Sequence, residues 1–137
     1  MKVSVAIQIE APPAAVWARL TDAAAFTAWN PTVSRLQGPI ALGQRLQIEV
    51  PSAPGRVFSP RVVAFEPARR MVWQDGFAPI FQGTRTFLLE GPADGPTRFS
   101  MEEVFVGLML PMIKRSLPNL CADFDAFAEA LGRAARA

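Results

Sequence analysis

The stretch that decides the fold is Arg98–Arg133, RFSMEEVFVGLMLPMIKRSLPNLCADFDAFAEALGR. Up to Val106 it alternates, with Phe99, Met101, Glu103 and Phe105 on one face and Arg98, Ser100, Glu102 and Val104 on the other. That period of two is a strand. After Gly107 the period changes. Ile113, Leu117, Leu120, Cys121, Phe124, Phe127 and Leu131 recur at steps that are mostly three or four residues, which predicts a long helix with one apolar stripe. Pro111 suits its start, Pro118 predicts a kink, and Arg133 and Arg136 sit where the helix dipole favours cations.

Upstream, Ile80–Glu90 is a second long strand, separated from the first by the turn-rich Gly91-Pro92-Ala93-Asp94-Gly95-Pro96. If the turn centres near Asp94, Phe87 faces Met101, Leu89 faces Phe99 and Arg85 faces Glu103. Further strands are expected over 69–75, 57–66, 44–50 and 32–36, with Pro60 implying an edge or a bulge. Val3–Glu10 alternates as a first strand. Pro12-Pro13 then opens a short amphipathic helix carrying Val16, Trp17 and Leu20, and Asp22 caps a second over 23–28. The order is strand, two short helices, about six strands, long helix. This is an α+β chain in which a curved antiparallel sheet of about seven strands wraps the long C-terminal helix.

The 137 residues fit a single domain, 1–137. No apolar run approaches the ~18 residues of a membrane span, and the alternating N-terminus does not read as a signal peptide. A lone cysteine, Cys121, excludes an internal disulfide and a multi-cysteine metal site, so a cytoplasmic location is expected. Histidine and tyrosine are absent, which removes the commonest general base and metal ligand and all phenol chemistry. A net charge of only +2 with scattered arginines argues against nucleic acid. Gly38, Gly43 and Gly83 match no phosphate-binding loop, and neither metal nor cofactor is expected.

Taken together, Ala11-Pro12-Pro13-Ala14-Ala15-Val16-Trp17, Leu20-Thr21-Asp22, Trp29-Asn30-Pro31, Gly43-Gln44, Pro60-Arg61-Val62, Phe65-Glu66-Pro67-Ala68-Arg69, Met71-Val72-Trp73, Gly83-Thr84-Arg85-Thr86-Phe87 and Glu102-Glu103-Val104-Phe105-Val106-Gly107 resemble the SRPBCC superfamily. These are the START and birch-pollen-allergen-like helix-grip proteins, and the chain looks most similar to their bacterial polyketide cyclase/dehydrase-like branch. The resemblance implies a cavity between sheet and helix that takes a small hydrophobic or amphipathic molecule, such as a lipid. Relatives often carry histidine at the position of Arg85, and a guanidinium can bind but not abstract a proton.

Within that frame, Arg85 and Glu103 are the candidates for chemistry: a ligand anchor with its orienting group or base, or else a structural pair, or two solvent-facing side chains after a register slip. Candidate ligand contacts are Trp29, Asn30, Trp73, Phe77, Phe81, Arg85, Phe87, Met101, Glu103, Phe105, Ile113, Leu117, Cys121 and Phe124. Trp29 and Phe77 are placed nearest the mouth. Asn30 serves either the ligand or its own turn, Asp75 either the cavity mouth or a solvated strand end. Cys121 reads as a small buried hydrophobe rather than a nucleophile. Three functions follow: a non-catalytic binder, a cyclase or dehydratase-like enzyme using Arg85 and Glu103, or a protein-partner role that an exposed apolar patch would favour. Homodimerisation stays open.

Overall fold

The computed structural model describes residues 1–113 and 120–137. The chain runs β1 (Lys2–Ile9), α1 (Pro13–Leu20), α2 (Phe26–Trp29), β2 (Arg35–Gln37), β3 (Gln47–Glu49), β4 (Arg61–Glu66), β5 (Arg70–Phe77), β6 (Phe81–Glu90), β7 (Thr97–Val106), α3 (Leu110–Ile113) and α4 (Leu120–Arg136). Five strands form an antiparallel sheet in the order β1-β7-β6-β5-β4, while β2 and β3 pair separately. The seven expected strands are thus present, but divided between two sheets. Backbone bonds before β4 join them: Leu46 N–H donates to the Pro60 carbonyl (2.8 Å), and Ile48 and Phe58 exchange both of theirs (2.8 Å each). The division has a local cause. Pro51, Pro54 and Pro60 have no N–H to extend a ladder. The bulge expected near Pro60 falls just after it, at Val62/Ala64.

The last two long strands pair as their alternation predicts, Phe87 with Met101, Leu89 with Phe99 and Arg85 with Glu103. β1 alternates between exposed and inward residues along its length and ends on the fully buried Ile9. Proline opens α1 at its first position, and Val16, Trp17 and Leu20 turn inward. Asp22 accepts the Ala25 N–H (3.3 Å) just ahead of α2, which is a single turn. Thr97, fully buried, donates its hydroxyl to the Ala11 carbonyl (2.7 Å) and ties the start of β7 to the link between β1 and α1.

The helix expected after Gly107 is described as α3 and α4, and the kink expected at Pro118 lies outside the described residues. α4 lies across β1 and against α1. Its Phe124, Phe127, Ala128 and Leu131 are buried against the sheet. No described helix is long and apolar enough to cross a membrane.

Candidate functional site

The concave face of the sheet is not filled evenly. Where β6 and β7 carry Phe87, Leu89, Phe99 and Met101, the interior is packed by Phe26, Leu20 and Phe127. Phe127 makes ring contacts with Phe26, Trp29, Phe87 and Phe99 at centroid distances of 5.6–6.5 Å. Toward the far ends of the same strands the packing stops, leaving a cavity of ≈ 310 Å³. One wall is Trp73, Asp75, Phe81, Arg85, Glu103 and Phe105 of β5–β7. The other wall is Ile48, Val50 and Phe58 from around β3, with Leu120, Asp123 and Phe124 from the first turns of α4.

Arg85 sits in the middle of a row that crosses the sheet. It is opposite Trp73 on β5 and opposite Glu103 on β7. Its Nε donates to Glu103 Oε1 at 2.7 Å, with the two side chains only 22% and 15% exposed. The guanidinium carbon lies 4.8 Å from the centroid of the Phe124 ring, so the group is held from the helix side as well. Phe81 and Phe105 stack at 5.9 Å beyond the pair. Gly83 lies between them: a Cβ there would stand 3.1 Å from Glu103 Oε2 and 3.3 Å from the Phe105 ring.

The rim carries further polar groups. Asp75 accepts the Ser59 N–H (3.2 Å) and the Gly76 N–H (2.8 Å), so it lines the cavity while tying β5 to the segment ahead of β4. Arg56 lies 5.2 Å over the Phe58 ring. Ser52 donates to Asp123 Oδ2 (2.8 Å), linking the turn after β3 to the start of α4. No group of three or more His, Cys, Asp or Glu side chains able to hold a metal occurs among the described residues.

Of the residues expected to contact a ligand, Trp73, Phe81, Arg85, Met101, Glu103, Phe105 and Phe124 line the cavity. Others do not. Phe87 is fully buried in the packed half, edge-on to Trp73 at 4.8 Å. Trp29 packs between Phe26 and Phe127. Asn30 is fully buried and ties its own turn, accepting both the N–H (3.0 Å) and the hydroxyl (2.7 Å) of Thr32. Phe77, the last residue of β5, is 69% exposed and is not among the cavity-lining residues, although it pairs with Phe81, which is. Cys121 is corrected, because it is exposed rather than part of the buried stripe. The side chain of Ile113 and all of Leu117 lie outside the described residues.

Sequence reasoning missed the contributions of Thr32, Val33, Ile48, Val50, Arg56 and Phe58. Ile48 and Val50 carried a usable signal in the alternation expected over 44–50, and Phe58 lay in the strand expected over 57–66, of which only Arg61–Glu66 forms β4. It also missed a group of exposed apolar side chains, Phe77, Ile80, Val106 and Leu108. Nearby in the chain, the Leu108 and Met109 N–H groups bond to the Pro79 (2.8 Å) and Ile80 (2.9 Å) carbonyls. The indole N–H groups of Trp29 and Trp73 and the Asn30 Nδ2 group are buried without hydrogen-bond partners among the described residues.

Comparison with solved structures places the same architecture in other chains. Protein MLL2253 from Mesorhizobium loti superposes with a TM-score of 0.76 at 23% identity, over 98% of this chain and 96% of that one. A START superfamily protein from Mycobacterium smegmatis gives 0.72 at 18% identity, covering 98% and 97%. DynU16, from the dynemicin biosynthetic locus, gives 0.71 at 22% identity; it is matched by 96% of this chain but over only 46% of its own length. These identities establish the shared fold alone. No curated protein matches the sequence. The match that reaches beyond fold is to the family described as polyketide cyclase / dehydrase and lipid transport, which spans residues 1–136, and the chain belongs to that family.

Proposed function

We propose that the protein binds a small hydrophobic or amphipathic molecule in the cavity between the sheet and α4. The observation that carries this reading is a ≈ 310 Å³ space walled by Ile48, Phe58, Trp73, Phe81, Phe105 and Phe124, beside a core packed with aliphatic and aromatic side chains. Apolar walls with a few placed polar groups are the usual make-up of a small-molecule site. The family description, which includes lipid transport, agrees with it.

Titration with a neutral apolar fluorophore such as phenylnaphthylamine tests the reading, alongside native mass spectrometry of the purified chain for a co-purified ligand. Saturable binding of one molecule per chain is expected. The half-buried Leu120 lies on the cavity wall. Leu120→Trp enlarges the side chain there and weakens binding about tenfold through lost volume. No saturable binding of any neutral apolar probe would overturn the proposal.

The Arg85–Glu103 pair favours a second reading, a cyclase or dehydratase-like enzyme. Glu103 takes a proton from the carbon beside a carbonyl, and Arg85 stabilises the enolate oxygen that results. Deuterium exchange into an aryl alkyl ketone, followed by NMR, is its direct test. Exchange above buffer that disappears in Glu103→Gln supports it, and exchange at the buffer rate in the wild type removes it.

A further inference from the structure

We infer that the cavity selects an uncharged head group that both donates and accepts hydrogen bonds, such as a primary amide or a hydroxy ketone, and disfavours carboxylates. This deepens the binding reading above and rests on it. The pair itself sets the argument. Arg85 spends only its Nε on Glu103, through Oε1. Its Nη1 and Nη2 groups and Glu103 Oε2 have no partner among the described residues, and none is among the fully buried side-chain atoms. A guanidinium fork and a carboxylate oxygen therefore stand side by side with unused hydrogen-bonding capacity. Gly83 leaves the space beside Oε2 open, since a Cβ there would crowd it at 3.1 Å. Phe124, against the guanidinium, holds the fork in place.

Charge decides which head group fits. Glu103 already neutralises Arg85. The other charged residues described on the walls are Asp75, Asp123 and Arg56. Asp75 is committed to two backbone N–H groups and Asp123 to the Ser52 hydroxyl. Among the described residues, three acids against two arginines leave an incoming carboxylate no surplus positive charge to offset its desolvation. An ammonium reaching Oε2 would lie beside the guanidinium and leave the fork unpaired. A primary amide satisfies both sides, its carbonyl accepting from Nη and its NH₂ donating to Oε2, at a far smaller desolvation cost.

The test is competition against phenylnaphthylamine on the full chain by four ligands of one chain length: decanamide, decanoate, decylamine and methyl decanoate. Decanamide is expected to bind at least ~10-fold tighter than decanoate or decylamine, and a few-fold tighter than the acceptor-only ester. In Glu103→Gln the arginine is no longer neutralised, so decanoate gains affinity and the amide-to-carboxylate preference shrinks or inverts. A purely structural role for the pair would change all four alike. Decanoate binding as well as or better than decanamide in the wild type overturns this inference and leaves the binding reading intact, a comparison that stands even if the variant fails to fold. If none of the four ligands binds, and phenylnaphthylamine does not either, both fall.

Discussion

The two halves of the grip are built from the same strands and the same helix, yet they do opposite things. Near the turn joining β6 to β7, Phe87, Leu89, Phe99 and Leu131 are all but sealed from solvent and interlock with Leu20 and Phe26, while Met101 and Phe127 stand at the boundary and also line the cavity. At the other end, Phe81 is half-buried, Phe105 faces the cavity, and the central polar feature is an ion pair. Close-packed aromatic contact is where a small domain stores its stability, whereas a cavity forgoes that contact. The difference implies a division of labour, with the packed half holding the fold and the open half left free to meet a ligand.

The largest expected effect tests that division directly. Phe99 is fully buried and stacks on Phe127 at 6.5 Å. Phe99→Ala is expected to cost about 3–5 kcal/mol in urea unfolding, the range for deleting a buried aromatic ring. Phe81 lines the cavity and is already half-solvated, so Phe81→Ala is expected to cost about 1 kcal/mol. Equal losses at the two positions would break the comparison.

An intermediate effect is expected at the ion pair. It is partly buried, so removing one partner strands the other in a site of low water access. Glu103→Gln should cost about 1–2 kcal/mol, less than a fully buried pair would because some solvent remains. The double variant Arg85→Met with Glu103→Leu should recover most of that loss, since it leaves no unpaired charge. A double-mutant cycle reads the coupling, and a coupling near zero would mean that the pair contributes only to the ligand.

The same two halves also separate what the sequence makes legible from what it does not. The facing of Arg85 and Glu103 could be read because β6 and β7 alternate cleanly on either side of one turn, which fixes the register. The helix stripe Leu120, Phe124, Phe127, Leu131 could be read for the same reason, from its period. Cys121 shows the limit of that logic. Ala128, seven residues on and on the same side of α4, is fully buried, while Cys121 is exposed. The first turns of the helix are covered along one edge only, and periodicity carries no information about what stands opposite. The cavity is harder still. Its outer wall comes partly from the segment around Phe58, expected to start a strand over 57–66, whereas β4 begins only at Arg61, after Pro51, Pro54, Gly55 and Pro60. Phe77 shares a strand parity with Trp73, yet it ends β5 exposed while Trp73 is buried on the cavity wall.

The smallest expected effect concerns the contact between the turn after β3 and the start of α4. The Ser52 hydroxyl and Asp123 Oδ2 lie 2.8 Å apart, across 71 residues of chain, and the bond is exposed. Water replaces such a bond readily, so Ser52→Ala should change unfolding stability by no more than about 0.5 kcal/mol. The bond nonetheless joins the turn after β3 to α4, and Asp123 itself lines the cavity. Loosening it should leave probe affinity nearly unchanged while raising both association and dissociation rates a few-fold, as stopped-flow measurement with phenylnaphthylamine would read. A stability loss of about 2 kcal/mol or more would instead place part of the fold's stability at the open end, and the separation between a holding half and a binding half would have to be redrawn.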